Sequence, residues 1–177
     1  MQLFKKSSIW FTGYPSSGKT TCAKKLKKKF DKMNVPSILF DGDQIRKLIF
    51  NDKNYDKNSR YQSAQKYLKL AKLILKTKLI LIVSTNHHTR KQRKFIKSNL
   101  GKDYLEVWMK TPIQICKKRD TKKLYSRYKA KKIKNVVGCD LKFEKPTNPD
   151  LIISHCDKKI PGEDKILDLL IKKKILY

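Results

Sequence analysis

The segment Gly13-Tyr-Pro-Ser-Ser-Gly-Lys-Thr20 has the spacing G-x-x-x-x-G-K-[ST], which carries a mechanical meaning. A loop of glycines and small residues can turn its N–H groups inward around phosphate oxygens, and the closing lysine adds a full charge near the β and γ positions. Gly13, Ser16, Ser17, Gly18, Lys19, Thr20 and Thr21 are the residues expected to hold ATP in this way, with the Thr20 hydroxyl offered to Mg²⁺. Further along, Asp41-Gly42-Asp43 brings two carboxylates together. One can accept the proton of an attacking hydroxyl while the other orients metal-bound water, Asp41 reaching the ion through a water. Lys19, Asp41 and Asp43 are therefore the candidate catalytic residues. A phosphate loop alone does not separate hydrolysis from transfer, and two exposed aspartates also occur in ordinary turns.

The loop can work only between a strand and a helix. Ser8–Thr12 is an apolar, β-branched and aromatic run that stops at Gly13, and Cys22, Ala23, Leu26 and Phe30 recur at helical spacing over Thr20–Met33. Ser37–Phe40 reads as a second strand, so the two aspartates fall at the carboxyl edge of a sheet, where open α/β folds bind ligands. The pattern then predicts a short helix over Gln44–Phe50, a polar loop over Asn51–Ser59 and a helix from about Arg60 to Lys76. Strands at Leu79–Val83, Tyr104–Met109 and Leu151–Ile153 alternate with helices at His88–Ser98, from Pro112 and at Glu163–Lys174. Such alternation implies an α/β fold, a five-stranded, mainly parallel sheet with helices on both faces. Thr121–Lys134 is almost wholly basic, with little apolar surface to hold it down, and suggests a mobile lid reaching to about residue 146.

At 177 residues the chain suits one domain, residues 1–177, with no repeat or linker. No long apolar run and no secretory leader are visible, so no membrane partner and a cytoplasmic location are expected. Cys22, Cys116, Cys139 and Cys156 lack metal-ligand spacing and read as unpaired thiols, and His87, His88 and His155 as non-ligands. The formal charge is +29, and all but six of the 44 basic residues are lysines, spread along the chain. That distribution fits solvated helix faces attracting small anionic nucleotides more than a nucleic-acid groove. A basic protein whose loop grips a nucleic-acid backbone remains the rival reading of another class.

Beyond the loop and Asp41-Gly-Asp-Gln-Ile-Arg46, the Arg60 segment, Thr111-Pro-Ile-Gln-Ile-Cys-Lys-Lys-Arg-Asp120, Leu124-Tyr125, Ile133-Lys134, Gly138 and Pro146-Thr-Asn-Pro149 follow in order. In these the chain resembles the adenylylsulfate kinase family, phosphate-loop kinases that phosphorylate the ribose 3′-hydroxyl of adenylylsulfate. The resemblance implies that Asp43 is the general base, that Arg46 and Arg60 hold the acceptor's anionic group, and that Arg119 contacts the ATP base. It also implies that Lys134 lies in the segment closing over the substrates, and it makes a homodimer a fair expectation. Retention of Lys19, Thr20, Asp41 and Asp43 argues against a non-catalytic homologue.

The departures from the family fall on the acceptor side. Of two phenylalanines that sandwich adenine in the family, the first position is Tyr55 here and the second is Val136, which cannot stack a purine in the same way. The family's Glu-Asn-Ile-Arg-Arg stretch reads Gln62-Ser-Ala-Gln-Lys66, and its Ile-Ser-Pro-Tyr/Phe-Arg segment reads Val83-Ser-Thr-Asn-His87, keeping Ser84 and, later, Arg90. In this pattern the chain resembles the cytidine diphosphoramidate kinases of bacterial capsule pathways. A pyrimidine could lie on Tyr55 against Val136, with Ser63, Asn86 or His87 bonding its edge. An adenylylsulfate kinase of sulfate assimilation with an altered pocket is the alternative.

Overall fold

The structure is a computed structural model that describes residues 4–50, 56–155 and 160–177. Five strands form one sheet in the order β2-β3-β1-β4-β5: β1 (Ser7–Thr12), β2 (Ser37–Asp41), β3 (Ile80–Ser84), β4 (Tyr104–Lys110) and β5 (Leu151–Ser154). All four strand pairs are parallel, as the alternation of strands and helices implied. Every residue of β1 and β3 is buried, because both faces of the sheet are covered.

The helices are α1 (Lys19–Lys32), α2 (Gly42–Ile45), α3 (Lys57–Ile74), α4 (Arg90–Leu100), α5 (Ile113–Arg119), α6 (Leu124–Lys129) and α7 (Gly162–Lys172). Successive strand residues point to opposite faces, so Ile9 and Phe11 join Leu26, Phe30, Ile166 and Leu170 in one core. Trp10 joins Tyr67, Ala71, Leu81 and Ile96 in the other.

Helix starts differ from the periodicity reading where a side chain caps the backbone, a local event that spacing does not encode. The Asp56 carboxylate accepts from the N–H groups of Asn58 (2.9 Å) and Ser59 (3.0 Å), so α3 begins before Arg60. A reciprocal Thr89–Gln92 capping box starts α4 at Arg90 rather than His88. Asp41 caps α2, which begins at Gly42 rather than Gln44 and widens into a π turn over Arg46–Phe50. Pro112 stands at the cap of α5, one position before the helix instead of inside it.

The basic segment after α5 also departs from expectation. Its few apolar side chains do not lie idle: Leu124, Tyr125, Tyr128 and Ile133 pack with Cys116, Val136, Ile113 and Tyr14 as a third small core. Helix α6 is thus held against the phosphate loop, and the Tyr125 hydroxyl donates to the Pro15 carbonyl at 3.1 Å.

Candidate active site

Strand β1 ends where the loop begins, and the loop's shape demands its glycines. Gly13 has φ +147°, and a Cβ there would come within 2.8 Å of the Met109 carbonyl and of Ser17 Oγ. Gly18 caps α1 at φ 97°, in the left-handed region. Ser17 is buried, its carbonyl accepting from the Thr111 hydroxyl at 3.0 Å, which ties the loop to the end of β4. The Lys19 ammonium curls back to donate to the carbonyls of Tyr14 (2.7 Å) and Gly13 (3.1 Å). Burial, and then the charge of Lys122, lowers its pKa to about 8.

At the neighbouring strand end, Asp41 accepts from the Thr20 hydroxyl at 2.8 Å through Oδ2 and from the Asp43 N–H at 3.1 Å through Oδ1. Thr20 Oγ1 also lies 3.1 Å from Ser84 Oγ, at the tip of β3. The start of α1 and the ends of β2 and β3 therefore converge on one knot of hydroxyl and carboxylate oxygens. The backbone of α2 turns Asp43 outward from that knot, half exposed, where it forms an ion pair with Lys122. The hydroxyl of Tyr67 donates to the Gly42 carbonyl at 3.0 Å and steadies this turn from α3.

Around these groups lies a cavity of about 910 Å³, lined by nearly all the residues expected to touch substrates. Ser16, Ser17, Gly18, Lys19, Thr20, Thr21, Asp41 and Asp43 line its middle. Arg46, Arg60, Ser63, Ser84, Asn86, His87, Lys134 and Val136, the residues expected at the acceptor, line the same cavity, as does Arg119, expected at the ATP base. Gly13 lies in the floor of the loop rather than on the cavity wall, and Tyr55 is outside the described residues. His155, Cys22 and Glu163 also line this cavity, where sequence reasoning did not place them; Arg119 Nη2 is 3.1 Å from His155 Nδ1. Only their place beyond β5 and on α1 and α7 brings them to the site, a long-range arrangement without a local motif.

The residues expected at the acceptor are held from behind. The buried Arg60 donates through Nη2 to the Asn135 carbonyl at 2.8 Å, joining α3 to the segment that carries Val136. Val136 is itself buried against Cys116 and Tyr125. Asn86 directs a buried Oδ1 that has no hydrogen-bond partner among the described residues. Arg93, inconspicuous among so many basic residues, pairs with Glu106 at 2.9 Å. It also donates to the carbonyls of His87 (2.7 Å) and Glu144. One buried guanidinium thus fixes the backbone of the acceptor loop to β4 and to the segment after Leu141.

His87 is buried between Trp10 and Tyr67, with Nδ1 2.8 Å from the Thr85 hydroxyl. Burial, reinforced by the charges of Arg93, His88, Arg46 and Arg60, pushes its pKa down to about 3. The imidazole is therefore neutral at physiological pH. Below the ordinary histidine value near 6.5 the unfolded chain gains a proton that the folded chain refuses, so stability falls as pH drops toward 3. His87→Gln removes that linkage. Between pH 7 and pH 5 the wild type is expected to lose about 2 kcal/mol more than the variant in urea unfolding. Equal losses would count against a buried neutral imidazole.

Comparison with known proteins agrees with this arrangement. The profile of the adenylylsulphate kinase family matches residues 5–154. The adenylyl-sulfate kinase of Buchnera aphidicola subsp. Acyrthosiphon pisum is 33% identical over 173 residues, covering 97% of this chain and 84% of that protein. The enzyme of Clostridium acetobutylicum is 33% identical over 173 residues, covering 97% and 86%. The solved Mycobacterium tuberculosis APS kinase CysC, in complex with AMPPNP and APS, superposes with a TM-score of 0.88 at 26% identity, covering 94% and 98%. A phosphate loop, a paired-aspartate strand end and the arginines Arg46 and Arg60 in one cavity, with matches of this extent, make the chain an ATP-dependent kinase of the adenylylsulfate kinase family.

Proposed function

We propose that the chain transfers the γ-phosphoryl group of ATP to the ribose 3′-hydroxyl of a small anionic cytidine nucleotide, cytidine diphosphoramidate being the substrate that best fits the acceptor wall. The transfer itself is supported by the single cavity in which Lys19 and the loop face Asp43, with Arg46 and Arg60 beyond. Amides of the loop hold the triphosphate, and Arg46 and Arg60 grip the acceptor's 5′-linked anionic group with paired, charge-assisted bonds. The two nucleotides then meet at the half-exposed carboxylate of Asp43. As the 3′-oxygen bonds to the γ-phosphorus, its proton passes to Asp43, and the bond to the bridging oxygen breaks to release ADP.

Magnesium suits this site: the Thr20 hydroxyl and the Asp41 carboxylate are adjacent hard oxygen donors, and the ion would neutralise charge on the β- and γ-phosphates. Among the described residues no group of three or more His, Cys, Asp or Glu side chains could cage a metal. A site shared between one or two protein oxygens and substrate phosphates is the usual arrangement for this ion. We assign the enzyme to the cytoplasm, where ATP is available; among the described residues no helix is long and apolar enough to cross a membrane.

The base reading depends on Val136. An aliphatic side chain fixed against Tyr125 gives a smaller contact than an aromatic ring and suits a smaller base. The unpartnered Oδ1 of Asn86 can accept from an exocyclic amine, which cytosine and adenine both carry and uracil lacks. Adenylylsulfate is the second reading, favoured by the names of the relatives at 33% identity. Acceptor-dependent ADP release with each compound decides between them. A kcat/KM about tenfold or more in favour of the cytidine compound is expected, since site geometry typically separates near-analogues by such factors. Faster turnover of adenylylsulfate would make the chain an adenylylsulfate kinase in substrate as well as in family.

A further inference from the structure

We propose that Lys122 is a catalytic residue of the phosphoryl transfer: its ammonium holds Asp43 until the acceptor hydroxyl arrives, then moves against the transferred phosphoryl group. This rests on the kinase reading above and adds a residue to it.

What separates Lys122 from the other lysines is the backbone that presents it. Helix α5 ends at Asp120, whose carboxylate accepts from the N–H groups of Tyr125 (3.0 Å) and Ser126 (2.8 Å) at the start of α6. Between them the chain makes a tight turn, with the Lys123 N–H bonded to the Asp120 carbonyl at 2.8 Å and Lys123 at φ 52°. The turn is also fastened to the phosphate loop. The Thr121 N–H donates to Ser16 Oγ at 3.2 Å, and the two hydroxyls lie 3.1 Å apart. Together with the Tyr125 bond to Pro15, these contacts fix the Cα of Lys122 above the loop. Its flexible stem then spans the cavity mouth to Asp43.

The electrostatics agree with that position. Lys19 and Lys122 line the same cavity, Lys122 on Asp43, and after burial the charge of Lys122 is the largest influence lowering the pKa of Lys19. A polyphosphate placed there relieves that repulsion and draws both cations. The reaction then supplies the exchange of partners. When the 3′-hydroxyl takes its place on Asp43, the ammonium is freed within reach of the γ-phosphoryl oxygens, whose charge shifts as the bond to ADP breaks. The proton goes to Asp43, the phosphoryl group to the acceptor oxygen and the bonding pair to ADP. Lys122 gains and loses no proton.

The test compares wild type, Lys122→Met, Lys122→Arg and, as a neighbouring control, Lys123→Met, with ATP and the better acceptor. Lys122→Met keeps the length without the charge and is expected to lower kcat by about 30- to 300-fold, with both KM values within about threefold. Lys122→Arg should recover most of kcat, while Lys123→Met and all thermal midpoints stay near wild type. A Lys122→Met kcat within about threefold of wild type would overturn the proposal, as would an equal loss in Lys123→Met. If the kinase reading itself fails, the signature differs: wild type releases no acceptor-dependent ADP, and the role of Lys122 falls with it.

Discussion

Asparagine in place of Asp43 is expected to lower kcat for acceptor-dependent transfer by about 10²- to 10⁴-fold, the range that a positioned general base contributes. The substitution keeps the shape of the side chain and removes its ability to take the hydroxyl proton. It leaves the local fold alone, because the bond from position 43 to Asp41 is made by the backbone N–H. ATP affinity measured by calorimetry should change by no more than about threefold, since loop amides and Lys19 carry that binding. A variant that keeps its kcat would remove Asp43 from the chemistry. The nucleic-acid rival predicts something else: binding to a polyanion that falls steeply with added salt and is indifferent to position 43.

The second large effect falls on acceptor binding. Arg60→Ala should raise the acceptor KM by about 30- to 1000-fold, because truncating one partner of a buried charged pair costs roughly 2–4 kcal/mol. The loss has two sources, the fork that would hold the anionic group and the tie to the Asn135 carbonyl that sets the Val136 wall. Lysine at this position restores charge without the planar fork and should recover only part of the affinity. The ATP KM is the internal control, since the proposed role of Arg60 is to hold the acceptor and not ATP. A matching rise in the ATP KM would mean that the substitution disturbs the whole cavity.

The shape of the phosphate loop was legible in the chain because it is made by the backbone. A phosphate loop needs glycines at Gly13 and Gly18, a lysine and a hydroxyl at fixed spacing, and flanking apolar runs that announce β1 and α1. The parallel pairing of the strands followed from alternation of element types, whereas their order is set by three-dimensional contacts that the alternation does not encode. Side chains that act across long separations were harder to read. Arg93 and Lys122 sit among dozens of similar cations, and only three-dimensional contacts with Glu106, His87 and Asp43 single them out. The packing of the segment from Thr121 to Lys134 was hidden for a related reason. Its scattered Leu124, Tyr125 and Ile133 look too sparse to pack, yet their partners Tyr14, Cys116 and Val136 come from elsewhere in the chain.

The guanidinium of Arg93 binds the main chain of the acceptor loop at the His87 carbonyl and leaves the side chains of that loop unconstrained by it. A binding surface built this way separates architecture from vocabulary. Side chains such as that of Asn86 can be exchanged without moving the polypeptide beneath them, which stays where Arg93 holds it.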